Sequence, residues 1–211
     1  MAAFLYLTGC RLQEVLPYTG RAPWPNKEAV KKNQLEVNPA DPSRVKVINV
    51  RCLKRKLQKM RRQELVGDPG GRHYTLVPRD GSPVKPQYRQ VPIRIDTDTQ
   101  PFWDIFMAHA DQVGSDQPLF TSSTGKPLSS TRAYQILAQE VVTNKMGGKK
   151  YRKGAGINPH AFRHQRYTRL VNVYRLSSQQ LRRHAGWSSS ITADQYVDSN
   201  ADDILDSMEN K

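Results

Sequence analysis

The sequence is poor in cysteine, with only Cys10 and Cys52 in 211 residues. That excludes a disulfide-stapled framework and points to a reducing cytoplasmic or nuclear setting. A long hydrophobic run is also missing. The apolar opening, MAAFLYLTG, has no basic region before it and runs straight into Arg11, so it reads as a buried helix rather than a signal peptide. No repeat and no low-complexity segment occurs. Acids are absent from two long stretches. Residues 42–63 hold nine Lys or Arg and residues 141–193 hold eleven, neither with an Asp or Glu. After the second stretch the sign reverses, with acids at Asp194, Asp198, Asp202, Asp203, Asp206 and Glu209. A merely solvated surface mixes signs. Two acid-free blocks in a chain of net charge +14 point instead to a polyanionic partner, nucleic acid before an acidic membrane face. What remains is the composition of a folded soluble protein, 37 % hydrophobic and 25 % charged, with enough chain for one sizeable domain or two small ones.

Apolar spacing organises the chain. Ala3, Leu5, Leu7, Leu12, Val15 and Leu16 predict a helix interrupted at Thr8-Gly9, with Thr8 capping a second helix from Cys10 and Glu14 on its exposed or half-buried side. Residues 26–37 read as helical or irregular. Val45, Val47, Ile48 and Val50 predict a strand that extends through Cys52 and Leu53. Residues 57–65 have helical spacing, 74–77 read as a strand, and Arg89 to Ile95 read as a strand whose Pro92 suits a sheet edge. A helix from Pro101 is predicted to align Phe102, Ile105, Phe106 and His109 on one face. Another spans about 129–143, capped by Ser129 or Ser130. The glycine-rich and basic run 145–156 reads as a loop that can lie on phosphates. Helices are predicted over 159–172, 178–184 and 190–198, the last capped by Ser188 or Ser189.

The late helices carry the chemistry. Cleaving a phosphodiester needs cationic donors on the non-bridging oxygens, an in-line nucleophile and a proton donor for the leaving oxygen. Arginine suits the first role because its planar fork contacts two oxygens and stays charged. Arg11 and Arg163 are the candidates, and such preorganised donors meet the charge of a pentavalent transition state without a metal. His160, three residues before Arg163 on one helical face, is a candidate phosphate ligand or proton-transfer group. The alternative is a core or capping histidine. Pro159 suits the start of that helix. His164 directly follows Arg163 and is expected to face elsewhere as a structural residue. Trp187, in a turn between helices, packs and can also donate its indole N–H to a phosphate oxygen. Tyr196 is the candidate nucleophile, a phenol that needs neighbouring positive charge to react as phenolate. Its alternative is an ordinary amphipathic-helix tyrosine.

Four pieces, in order, carry a family resemblance. Thr8, Gly9, Arg11 and Glu14 match a Thr-Gly-x-Arg-x-x-Glu helix. His160, Arg163 and His164 match His-x-x-Arg-His. Ala185-Gly186-Trp187-Ser188-Ser189 stands where Leu-Gly-His-Ser-Ser is typical, tryptophan being an accepted alternative to the histidine. Tyr196 then falls on the family's spacing, nine residues after Trp187. From Arg11 to Tyr196 the chain resembles the catalytic domain of the tyrosine recombinases, the phage-integrase family.

The resemblance implies an α+β fold, mostly helical with a small antiparallel β-sheet. It also implies site-specific recombination of double-stranded DNA through a 3′-phosphotyrosyl intermediate, with no cofactor and no metal. Tyr196 attacks, Arg11 and Arg163 hold the phosphate, and His160 and Trp187 complete the pocket. The family's catalytic lysine sits in a β-hairpin closed by Arg-x-Val-Pro-Leu, matched by Arg89-Gln90-Val91-Pro92-Ile93. Lys54 is the candidate, with Lys56 and Lys85 as alternatives in a hairpin of about 45–95 that carries an insertion. A single catalytic domain over 1–211 is expected, beginning almost at the first motif and lacking the separate N-terminal DNA-clamping domain. A homotetramer on paired sites, free of membrane and nucleoid-associated in the cytoplasm, is also implied. The tail 197–211, with Ile204, Leu205 and Met208, is expected to dock as a small helix. Rival readings are a type IB-like topoisomerase, a non-enzymatic DNA-binding derivative or fragment, and an RNA-binding protein, which would need exposed aromatics on a sheet.

Overall fold

The computed structural model describes residues 1–18, 28–52, 60–64, 74–78, 87–145, 158–187, 189 and 191–197, with side chains described outside 60–64, 74–78 and 138–145. Lys54, Lys56, Lys85, Ser188, the expected loop from 146 onward and the tail beyond Val197 lie outside the described residues.

The apolar opening forms α1 (Ala2–Thr8), which buries Phe4, Leu5 and Leu7, followed by α2 (Leu12–Val15). The interruption falls where it was predicted, but the second helix starts later. The Thr8 hydroxyl donates to the Phe4 carbonyl at 2.7 Å and accepts from the Cys10 amide, so it closes α1 instead of capping α2. Arg11 takes the N-cap position, and the Glu14 carboxylate reaches back to accept from its amide at 2.9 Å. Glu14, expected to be at least half exposed, is buried.

After a 3₁₀ turn at Lys32–Gln34 come β1 (Leu35–Asn38) and β2 (Asp41–Cys52), then β3 (Met60–Glu64), β4 (Tyr74–Pro78) and β5 (Gln87–Arg94). An antiparallel sheet has the order β1-β2-β5, with Val45 opposite Ile93 and Val47 opposite Val91. A bulge between Val47 and Val50 puts Asn49 at φ 55, a conformation asparagine tolerates. Pro92 lies on an edge strand, as its missing N–H requires. The helix predicted over 57–65 is not present in its described part. Residues 60–64 are a strand paired antiparallel with 74–78, and the hairpin's cross-strand bonds satisfy the backbone and override the helical spacing read in the sequence.

Helix α3 (Gln100–Ala110) is rotated from its predicted face. Trp103, Phe106, Met107 and Ala110 make the inward stripe, while Phe102 and Ile105 are exposed and Phe102 covers the Tyr6 ring. Helix α4 (Ser130–Lys145) starts after Ser129, whose hydroxyl accepts from the Arg132 amide. Then come α5 (Pro159–Asn172), capped by Asn158, α6 (Ser178–Ala185), capped by Ser177, and α7 (Ile191–Val197), where Ser189 accepts from the Ile191 amide. The fold is therefore α+β and mostly helical, with a small antiparallel sheet, as expected.

Two apolar clusters form the core. One joins α1, α2, the sheet, α3 and α4. The other joins Tyr167, Leu170 and Val171 of α5, Leu181 and Ala185 of α6, Trp187, and Ala193 of α7. Helix α1 packs on both α3 and α5, and the buried polar residues Glu14, Arg89, Arg163, Arg166 and His184 come from elements of both halves. Among the described residues, no helix is long and apolar enough to cross a membrane.

Candidate active site

The site is built on a buried carboxylate. Glu14 accepts from Arg89 Nη2 at 3.0 Å and Nη1 at 3.3 Å, pairs with Arg11 at 3.0 Å, and has Arg163 Nη1 at 3.7 Å. Burial alone would raise its pKa. The adjacent Arg89 charge, and then that of Arg163, override burial and hold the carboxyl at about 2. Arg89 reaches this position because it alternates in phase with Val91 and Ile93 on the inward face of β5. Its Nε donates to the His184 carbonyl at 3.0 Å, and Arg163 Nη2 donates to the Ala185 carbonyl at 3.2 Å. Two carbonyls at the end of α6, which lack helical partners, are thus satisfied by guanidinium groups.

Two motif glycines make this geometry possible. Gly9 ends α1 at φ 64 and aims its carbonyl at Arg163 Nη1, at 2.7 Å, and at the Tyr167 hydroxyl, at 3.2 Å. A Cβ there would meet Tyr167 Cε1 at 2.9 Å. Gly186 ends α6 at φ 68, and a Cβ there would meet Arg89 Nη1 at 3.0 Å and Cys52 Sγ at 3.1 Å. Any side chain at either position combines a strained backbone with a displaced guanidinium or ring. Arg163 completes its seat by lying over the Tyr167 ring, 4.5 Å from its centroid, and 5.4 Å from that of Trp187.

Above this floor opens a pocket of about 370 Å³ lined by Arg11, His160, Arg163, His164, Thr168, Trp187, Thr192, Gln195 and Tyr196. Five of the six residues singled out from sequence therefore line one cavity: Arg11, His160, Arg163, Trp187 and Tyr196. The sixth, Lys54, lies outside the described residues. Trp187 is almost buried, and its ring stacks on that of Tyr196 at 5.7 Å with an interplanar angle of 17°. Tyr196 also meets the Tyr167 ring edge-on. Burial raises the Tyr196 phenol above its ordinary pKa, with the charges of Arg163 and then Arg11 opposing that rise.

His164 corrects the sequence reading. Expected to face away, it lines the pocket, and its Nδ1 lies 2.6 Å from the Tyr196 hydroxyl. The reason is helical geometry: judged from Arg163 it is the next residue, turned by a third of the circle, but judged from His160 it is four residues on and shares its face. The two imidazoles meet edge-on at 5.0 Å, and Thr168, four further along, continues the same wall. Arg89 was also missed as a site residue. Its signal was an arginine in phase with two β-branched residues of a strand, a buried cation in need of a carboxylate.

Two nearby side chains carry buried nitrogen atoms with no hydrogen-bond partner among the described residues. Arg166, fully buried three residues after Arg163, makes no hydrogen bond of good geometry from its guanidinium nitrogens among the described residues, and its polar neighbour is Tyr174, whose ring centroid is 5.8 Å away. His184 donates from Nε2 to the Pro92 carbonyl at 3.1 Å, while Nδ1 is unpaired. Burial, with the Arg166 charge adding to it, lowers the His184 pKa to about 3. Among the described residues, no three His, Cys, Asp or Glu side chains gather as a metal-binding group.

No protein-family model matches the sequence, and no curated protein does. Among solved structures, the chain is similar to the XerH site-specific recombinase bound to difH substrate in a pre-cleavage complex, with 16 % identity and a TM-score of 0.49 over 97 % of this chain and 43 % of that one. It is similar to the Tn1549 transposon integrase in complex with transposon right end DNA, with 16 % identity and a TM-score of 0.49 over 99 % and 57 % of the two chains. For the same integrase with circular intermediate DNA, the figures are 17 % and 0.48 over 99 % and 58 %. The chain thus spans about half the length of the solved structures that it matches.

Proposed function

We propose that this chain is the catalytic domain of a tyrosine recombinase that cleaves and rejoins double-stranded DNA through a phosphotyrosyl intermediate. The observation that carries this reading is a convergence. Arg11, from the start of the chain, and His160, Arg163, Trp187 and Tyr196, from its end, line one cavity. A phosphate in that cavity meets two guanidinium groups, both paired with the buried Glu14 carboxylate, and so finds its donors already oriented.

In the proposed reaction the Tyr196 Oη attacks the scissile phosphorus and the bond to the 5′ oxygen breaks. The 5′ oxygen takes a proton from a lysine, for which Lys54 is the candidate and Lys56 and Lys85 the alternatives. Arg11 and Arg163 hold the non-bridging oxygens, with His160 and the Trp187 indole as further donors. A 5′ hydroxyl from a partner strand then reverses the steps. The phosphoester energy is kept in the covalent link, so the chemistry calls on no nucleotide cofactor and no metal. The net charge of +14 supports a DNA partner held largely through its phosphates. Assembly as a homotetramer on paired sites, and a cytoplasmic, nucleoid-associated location, belong to the same proposal.

The test is a suicide DNA duplex, nicked beside a candidate site so that the cleaved strand diffuses away. Wild-type chain is expected to give a protein–DNA adduct that survives SDS, and Tyr196→Phe none. Binding in a shift assay without an adduct from either protein would support the non-enzymatic DNA-binding reading instead.

A further inference from the structure

We propose that His164 is the base that takes the proton from the attacking tyrosine, a role resting on the recombinase reading above. Tyr196 sits on α7 and His164 on α5, and the phenol Oη approaches Nδ1 to 2.6 Å. With its own proton on Nε2, the neutral imidazole presents Nδ1 as an acceptor, and the phenol donates to it. The ring planes are inclined at 34° with centroids 5.6 Å apart, so the contact is made by the edge of the imidazole and leaves the Trp187 side of the phenol to stacking.

The need for a base follows from the site. Burial works against the phenolate, and the opposing charges of Arg163 and Arg11 do not fully cancel it, so the tyrosine is a neutral phenol when DNA arrives. The Oη–H proton moves to Nδ1, giving an imidazolium. An Oη lone pair forms the bond to phosphorus, and the electron pair of the breaking phosphorus–oxygen bond goes to the 5′ oxygen, which is protonated by the lysine acid. In the reverse step, the imidazolium returns its proton to the departing phenolate. His164 is exposed, so it exchanges protons with solvent between turnovers. Among the described residues, the titratable and charged groups that line the pocket with it are His160 on its own helix, Tyr196 on α7, and Arg11 and Arg163. The acid of α7, Asp194, is not part of the pocket lining.

This division of labour gives the two pocket histidines separate tasks. His160, at the first turn of α5, remains with the phosphate donors, whereas His164, one turn deeper, serves the nucleophile.

Single-turnover cleavage of the suicide duplex by wild type, His164→Ala and His164→Asn tests the assignment. Asparagine places an oxygen near the position of Nδ1, so it keeps an acceptor for the phenol but cannot hold the proton. Both variants are expected to cleave at least ~100-fold more slowly, the usual scale for a lost general base, while binding DNA as wild type does. Added imidazole is expected to restore part of the rate to His164→Ala, where the cavity is vacant, and none to His164→Asn, where the amide fills it. A near-wild-type rate in His164→Asn would overturn the proposal in favour of a hydrogen bond that only positions Tyr196. A near-wild-type rate in His164→Ala would overturn both roles while leaving the recombinase reading intact. Absence of any adduct from wild type that still binds the duplex would remove that reading and the base with it.

Discussion

The floor and the rim of the pocket are built on opposite principles. On the floor, Glu14, Arg89 and Arg163 are buried and tied together by charge-assisted hydrogen bonds, with the ends of α1 and α6 joined to the same network. At the rim, His160 and His164 are exposed on one face of α5, and Tyr196 is half-buried on the short helix α7. The floor resembles a structural ion-pair cluster that also aims positive charge outward. The rim is organised by the stacked Trp187 indole and the short contact of the Tyr196 hydroxyl with His164 Nδ1, and its histidines face solvent. Under the proposed function, the fixed floor would hold the phosphate while the accessible rim supplies the reacting groups.

The comparison breaks most visibly when the floor loses its anion. Glu14→Ala leaves two buried guanidiniums without a counter-charge, and a loss of about 3–5 kcal/mol in urea unfolding is expected. Tyr196→Phe, at the rim, is expected to shift stability by no more than ~0.5 kcal/mol while removing the covalent adduct entirely. Similar losses of stability in the two variants would erase the distinction.

Acid should act on the floor before neutral pH does. The His184 pKa is depressed to about 3, so the unfolded chain binds a proton that the folded chain refuses below the ordinary value of 6.5. Its contribution is therefore fully present above that value and falls by roughly 1.4 kcal/mol per pH unit as pH is lowered toward 3. The depressed Glu14 carboxyl adds its own loss between its ordinary value of 4.5 and about 2. Unfolding midpoints measured across this range should decline steadily, and His184→Gln should flatten the upper part of the decline.

Much of this was legible in the sequence, and the limits were physical ones. Helices α5, α6 and α7 have capping residues and apolar spacing that agree, and their boundaries were readable to within a residue. The pocket residues were readable because Gly9, Gly186 and Pro159 punctuate the motifs around them. His164 was misread because it was judged against its chain neighbour instead of against the residue one helical turn away. Glu14 was misread because a carboxylate on a four-residue helix looks solvent-facing until its partner is known. That partner, Arg89, is 75 residues away along the chain, and only the alternation of β5 hinted that its side chain points inward. The strand at 60–64 was misread as helix because the helical spacing of 57–65 rests on few apolar residues, and pairing with 74–78 overrides it.

Smaller effects sharpen the picture. Gly9→Ala is expected to cost about 1–3 kcal/mol, because it forces a left-handed backbone on a residue whose Cβ strikes Tyr167. The loss should appear as a lower melting temperature together with weakened cleavage, since the Gly9 carbonyl also seats Arg163. Arg166 provides the opposite sign. It is buried like Arg163 but has no anion or carbonyl to meet it among the described residues, so Arg166→Met is expected to be neutral or to raise stability by about 1 kcal/mol. Arg163→Met at the neighbouring seat should instead leave Glu14 and the Gly9 carbonyl short of a donor and lower stability.

The most direct measurement is to find where DNA becomes attached. Trypsin cutting after Arg183 releases residues 184–211, a peptide whose only tyrosine is Tyr196. Mass spectrometry of the digested, nuclease-trimmed adduct should find the nucleotide on this peptide and the fragment ions should assign it to Tyr196. A nucleotide on any other peptide, or an unmodified 184–211 peptide in a chain that has demonstrably cleaved its duplex, would contradict the account.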